Sequence, residues 1–281
     1  MKIILSRKGF DSSAGGYPSP ILPDGTLLSL PIPAEKDSIK YSGLNINNDN
    51  FYDLMSQLNL KILTLGNTKI PLNKHTKCHF DPDIRYESLE RSKEWKGLFG
   101  QSGSAQTHLE NQHVKVGDLF LFFGWFRNTK LVDGEYKYDH KDKHGKHIIF
   151  GYLEIGHKIL IKKKTDYEKW MSYHPHTDDG RIGKNKNVLY IAKERSSFSS
   201  NMKGYGTFNY DDHLVLTKEG KSRSRWDLPI FFKTKYISYH TINNWKTNNF
   251  QSTARGQEFV IEENQEVEKW AQDLIIRNYK D

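Results

Sequence analysis

Three short polar runs stand beside apolar stretches: Ser6-Arg7-Lys8-Gly9-Phe10-Asp11, His79-Phe80-Asp81-Pro82-Asp83 and Ser222-Arg223-Ser224-Arg225-Trp226. In the first, Arg7 offers a planar fork for phosphate oxygens and Lys8 a point charge. Gly9, Gly15 and Gly16 let backbone N–H groups come close to a ligand. The Gly-Lys-Ser/Thr of a Walker loop is absent. Asp11 adds a carboxylate, and it also fits an Asp-capped turn. In the second run, His79, Asp81 and Asp83 alternate, so extended backbone puts them on one face. An imidazole that titrates near neutrality beside carboxylates suits acid–base work, with His79, Asp81 and Asp11 as the set. Asp81 and Asp83 would equally serve an Asx-Pro turn. No metal is assigned: the spacing is a weak signal, and His174-Pro175-His176 has no third ligand nearby in the chain.

Two further stretches carry ligand-reading chemistry. Gly100–Leu109 reads as a glycine-rich loop with Gln101, Gln106 and His108, whose donors and acceptors can match a base edge or sugar. Lys218–Arg225 reads as a basic turn closed by Trp226. There Arg223 and Arg225 would neutralise phosphates while Trp226 stacks on a base, unless the tryptophan belongs to the core. Glu258, entering a short apolar strand, fits a catalytic carboxylate or a ribose-hydroxyl acceptor. With Arg7 it outlines the Arg…Ser…Glu order of some NAD-consuming transferases.

The elements that must position these groups are mostly short strands. Lys2–Ser6, Thr26–Ile32, Leu119–Phe126, His147–Ile155, Asn187–Ala192, His213–Thr217, Pro229–Phe232 and Phe259–Ile261 read as strands, and Lys158–Ile161 extends the pairing. Helices are expected over Phe51–Leu60 and Glu90–Phe99. A third follows Glu263 or Asn264, with Val267, Trp270, Ala271, Leu274 and Ile275 at helical spacing. The charged insert 127–146 reads as a mobile hairpin or loop. The pattern predicts an α+β fold: a mixed, strand-dominated sheet or partial barrel with a few flanking helices, in one domain over 1–281.

Composition sets outer bounds. A chain of 281 residues can bury a sizeable core, and 13% aromatic residues enlarge what each core position buries. Net charge +8 favours anionic partners. The single cysteine, Cys78, excludes an internal disulfide and a cysteine-based zinc cluster. Apolar stretches fall short of the ~20 residues of a membrane helix, and the start is too short for a signal peptide, so a soluble cytoplasmic protein with no membrane partner is expected.

Ser6–Asp11 with Pro18-Ser19-Pro20, His79–Asp83, Gly117–Gly124 and Gly256-Gln257-Glu258-Phe259 resemble the nucleotide-modification-associated domain family, third type, over nearly the whole chain. The opening run is the most specific part. The resemblance implies a link to systems that modify nucleobases in phage and bacterial DNA, and it carries no catalytic assignment. The leading expectation is an enzyme acting on a nucleotide or nucleobase in a DNA-modification or phage–host conflict setting, with glycosyl transfer or hydrolysis as one chemistry. The alternatives are a non-catalytic reader of modified bases and an ADP-ribosyl-type transferase using NAD. Nucleotide or DNA is the expected partner, and no cofactor is assigned.

Overall fold

The run Leu119–Phe123 has no polar position, and all five residues are buried at the centre of the main sheet. The computed structural model describes residues 1–184 and 186–280. Its main sheet has nine strands: β1 (Ile3–Arg7), β2 (Ser19–Ile21), β3 (Leu98–Gln101), β4 (Leu119–Val132), β5 (Glu135–Tyr138), β6 (Lys146–Leu160), β7 (Val188–Ala192), β8 (Tyr205–Thr207) and β9 (Glu258–Ile261). The α-helices among the described residues are α1 (Phe51–Gln57), α2 (Gly103–Asn111) and α3 (Gln265–Asn278). The long path runs β9-β1-β4-β6-β7-β3, with β2 and β5 also on β4 and β8 on β6. β1 and β2 lie parallel to β4, and the other ladders are antiparallel. The fold is thus mixed α+β and strand-dominated.

The sheet curls because β6 is irregular. Its register shifts between Ile149 and Gly151 and again between Ile155 and His157, so its first part pairs β4 and β8 and its last part pairs β7. Such bulges bend a strand and raise its twist. The outermost strands, β3 and β9, therefore approach each other without forming a ladder, and the barrel stays open along that seam. Inside the curl Phe99 packs on Phe120 and Phe122 at centroid distances of 4.8 and 5.3 Å. On the other face Phe123 meets Trp226 edge-on at 5.0 Å and Phe259 at 6.1 Å. A second core beneath residues 10–80 gathers Phe10, Tyr41, Phe51, Leu54, Met55 and Cys78 around α1.

Several expected elements differ. Gly100–Leu109 is the end of β3 followed by α2 and not a loop, because Gly103 turns the chain at φ +60 and Ala105, Gln106 and Leu109 then follow helical spacing. Glu90–Phe99 is not helical: its last residues enter β3, and Trp95 is anchored by side-chain bonds. Pro229–Phe232 runs into a 3-10 turn, Ile230–Thr234, and His213–Thr217 makes only isolated bridges after another. The insert 127–146 is largely ordered pairing: β4 continues through it, turns at Asp133-Gly134 and returns as β5. At the C-terminus Asn264 caps α3 through the N–H groups of Glu266 and Val267, and Val267, Ala271, Leu274 and Ile275 dock it.

One core group makes the fold acid-sensitive. His147 is buried, its Nδ1 accepts from Trp226 Nε1–H at 3.0 Å, and burial pushes its pKa down to about 3, helped by Arg7 and Arg223. The unfolded chain takes up a proton near pH 6.5 that the folded chain refuses until about pH 3. Stability is unaffected above the unfolded value and falls below it, by about 1.4 kcal/mol per pH unit. Denaturant titrations from pH 7 to 4 should show this slope, and His147→Gln should remove about one proton's worth of it. Equal slopes in both proteins would mean that His147 is not held neutral.

Candidate active-site cleft

Strand alternation divides the opening run between the two faces of the sheet. Lys8 follows β1 into the curl, where its ammonium lies 4.5 Å over the Phe99 ring and 2.8 Å from Glu258 Oε1. Arg7 takes the opposite face, stacks near Phe123 and Phe259, and donates to the carbonyls of Thr253 and Ala254 at 2.7 and 3.1 Å. Its fork therefore organises the 253–256 turn at the cleft wall. Asp11 Oδ1 accepts from the backbone of Ser13 and Ala14 and from the Ser13 hydroxyl, which makes it a turn cap at the cleft edge.

These groups lie around a cleft of about 840 Å³ at the open seam between β3 and β9. Arg7, Lys8, Asp11, His79, Asp81, Gln101, His108 and Glu258 all line it. Eight candidate residues from four chain segments thus share one cavity. Gln101, at the end of β3, donates Nε2–H to Glu258 Oε1 at 2.7 Å and receives the Ser102 N–H on its own oxygen. Both of its polar ends are engaged, so it positions Glu258. Glu258 is 1% exposed, and its other oxygen, Oε2, has no hydrogen-bond partner in the protein. A buried carboxylate oxygen without a partner is an unsatisfied acceptor for an amine, amide or hydroxyl donor.

The second wall is built around Asp81, whose side chain is 3% exposed. Oδ1 accepts the Gly100 N–H at 2.9 Å, and His174 Nε2 lies 3.3 Å from the same oxygen without hydrogen-bond alignment. Oδ2 faces His79 Nε2 and His176 Nε2, each at 3.8 Å. Burial pushes the Asp81 carboxyl up, but His174, His176 and His79 outweigh it and hold it far below the usual carboxylate range. Burial pushes His176 down to about 3 against the pull of Asp81, so its imidazole is neutral at physiological pH. Gly100 makes the approach possible, since a Cβ there would lie 2.1 Å from His176 Cδ2. Asp83, predicted to share this face, points instead into a buried network with Arg91, Trp95 and Tyr173.

The mouth is aromatic and basic. His108 on α2 lies 3.0 Å from Ser238 Oγ and 4.3 Å, ring to ring, from Tyr239, and burial lowers its pKa. Tyr239 holds φ +63, a rare backbone state for a bulky side chain. Arg255, exposed on the same rim, makes no ion pair among the described residues.

The remaining candidates lie elsewhere. Gln106 is 1% exposed and turned to the core, accepting from Tyr190 OH at 2.9 Å and donating to Glu110, so it reads no ligand in this cleft. Trp226 cannot stack on a base from a fully buried position; it and Arg225 form a two-residue strand, and alternation sends the indole inward. Arg225 makes a 3.4 Å contact with Asn249. Arg223 lines a larger neighbouring groove of about 1790 Å³ with Lys141, Lys143, Lys146, Lys218 and Lys221. Its guanidinium sits 4.0 Å over Trp125 and bonds Ser12, next to Asp11 and Ser13 of the cleft edge, so groove and cleft adjoin.

Comparison with protein-family models matches the chain over residues 2–262 to the nucleotide modification associated domain 3. The chain belongs to that family. Searches of the curated proteins and of the solved structures return no match. In this nucleotide modification associated domain 3 protein, the sequence reading missed Asp37, Asn187, Tyr239 and Arg255, and it set His176 aside. Only His176 carried a local signal, the His-Pro-His spacing. Asp37 and Asn187 act through contacts with residues that lie 42 and 11 positions away. No helix among the described residues is long and apolar enough to cross a membrane.

Proposed function

We propose that this protein is an enzyme that acts on a nucleotide or nucleobase in the cleft between β3 and β9, in a DNA-modification setting. The observation that supports this most is the buried Glu258 carboxylate on the cleft wall, with one oxygen engaged by Lys8 and Gln101 and the other, Oε2, left without a partner in the protein. The family name agrees with a nucleotide context. Glu258 would take an exocyclic amine, ring N–H or sugar hydroxyl. His108 and Tyr239 would give the base an aromatic edge, and Arg255 would meet phosphate at the mouth. Asp81 and His79 would face the reacting atoms across the cavity. The lysines around Arg223 would hold an adjoining DNA strand by its phosphates.

Incubation with nucleotides or DNA, followed by enzymatic digestion and mass spectrometry, tests this reading. Wild type should convert a substrate, and Asp81→Asn should abolish turnover while leaving a cooperatively folded chain. Wild-type turnover in that variant would remove Asp81 from the mechanism. Tight binding of modified DNA with no chemical change would replace the enzyme with a reader. Consumption of NAD would favour the transferase in which Arg7 and Glu258 take part.

A further inference from the structure

We propose that His79, Asp81 and His176 bind one divalent first-row transition-metal ion, with open coordination positions facing the cleft. His79 Nδ1 lies 2.6 Å from Asp37 Oδ2, and a carboxylate can only accept, so Nδ1 carries the hydrogen. Asn187 donates its amide to the carbonyl oxygens of His176 and Arg181 at 2.7 and 3.3 Å, which makes its Oδ1 an acceptor. His176 Nδ1, 2.6 Å from that oxygen, therefore carries the hydrogen. Both Nε2 atoms then carry a lone pair, and each lies 3.8 Å from Asp81 Oδ2.

Three acceptor atoms face one another with no donor between them, and they lie within 4.8 Å of one another. A cation placed among them would relieve that repulsion. A proton on one imidazole does so poorly: each Nε2 is 3.8 Å from Oδ2, beyond the ~2.7–3.2 Å of a hydrogen bond. A metal ion held at about 2.0–2.2 Å from each ligand sets the ligand atoms about 3.3 Å apart, which closes the two 3.8 Å imidazole–carboxylate contacts by about 0.5 Å and draws the two imidazoles closer still.

The surroundings have the form of an outer shell. Asp37 orients His79 and is itself fixed by Arg181 through its other oxygen. Asn187 orients His176, and the Gly100 N–H orients Asp81. Imidazoles that donate their second N–H to a carboxylate or a carbonyl oxygen are the usual arrangement around a bound metal. Two nitrogens and one oxygen suit zinc, iron(II), cobalt(II) or manganese(II), and not calcium or magnesium, which take oxygen donors. Three protein ligands leave room for water or substrate, as catalytic sites do and closed structural sites do not. All three ligands line the cleft, so such an ion would face whatever Glu258 holds.

The test uses the full chain, stripped by chelator and titrated with cobalt(II). One equivalent should bind, with visible ligand-field absorption and a raised unfolding temperature, and zinc should displace it. His79→Gln and Asp81→Asn should each weaken binding by more than the ~10–100-fold expected of an outer-shell change such as Asp37→Asn. His157→Ala, on an exposed histidine, should bind as the parent does. Absence of both spectrum and thermal shift at millimolar metal, or parent-like affinity in His79→Gln, would overturn the proposal. Because the readout is the metal itself, cobalt binding in a chain that ignores nucleotides would uphold this site and count only against the nucleotide reading.

Discussion

Replacing Asp83 with alanine is expected to cost the fold about 3–5 kcal/mol, the range for an ion pair broken in the interior. Asp83 and the Arg91 side chain are both fully buried. Arg91 grips the carboxylate with Nη1 at 2.8 Å and Nη2 at 2.5 Å. Tyr173 OH donates to Asp83 at 2.5 Å and receives Trp95 Nε1–H at 2.8 Å, while Arg91 also donates to the Arg85 carbonyl at 2.9 Å. Alanine at 83 leaves a guanidinium without its counter-charge in a place water does not reach. Urea denaturation should show the loss as a lower midpoint, and Asp83→Leu with Arg91→Met should recover much of it, since the cost lies in the orphaned charge. A loss under about 1 kcal/mol would mean that the pair is solvated. The contrast with Asp81, two residues away, is the informative one: one aspartate sustains the fold, and the other faces the cavity.

Glu258→Ala is expected to lower stability by a similar amount, about 3–5 kcal/mol, and to abolish ligand binding as well. Lys8 and Glu258 side chains are 10% and 1% exposed, so removal of the carboxylate strands the ammonium beside the Phe99 ring. Adding Lys8→Met should restore stability by removing that stranded charge, without restoring binding. The two measurements separate because the ion pair belongs to the fold, whereas the unpartnered Oε2 is the atom proposed to meet the ligand. Thermal shift with a panel of nucleotides on the double variant decides the second half: a nucleotide shift equal to the parent's would mean that Glu258 makes no ligand contact. Failure of the double variant to regain stability would mean that Lys8 finds another partner.

What could be read from the sequence is what short-range pattern encodes. The uninterrupted apolar run at Leu119–Phe126 announces a strand buried on both faces, and it forms one. The spacing of Val267, Ala271, Leu274 and Ile275 announces α3, with Asn264 at its cap. The polar run after Ser6 marks a strand end at the cavity, and Lys8 lies there. What failed depends on neighbours in space. Arg223 and Arg225 make Trp226 look exposed, yet Phe123, Phe250 and Phe259 enclose it. Two glycines made 100–109 look like a loop, although Gly100 is small for His176 and Gly103 only starts a helix. The Asp81–His176 pairing spans 95 positions, and local spacing carries no trace of it.

The open seam has a consequence for how the cavity works. β3 and β9 are joined there by one side-chain bond, Gln101 to Glu258, where a ladder would have had several backbone bonds. A molecule that touches both rims does more than occupy space: it braces two edges that the chain itself barely ties together. The binding of such a molecule would then be coupled to the width of the gap.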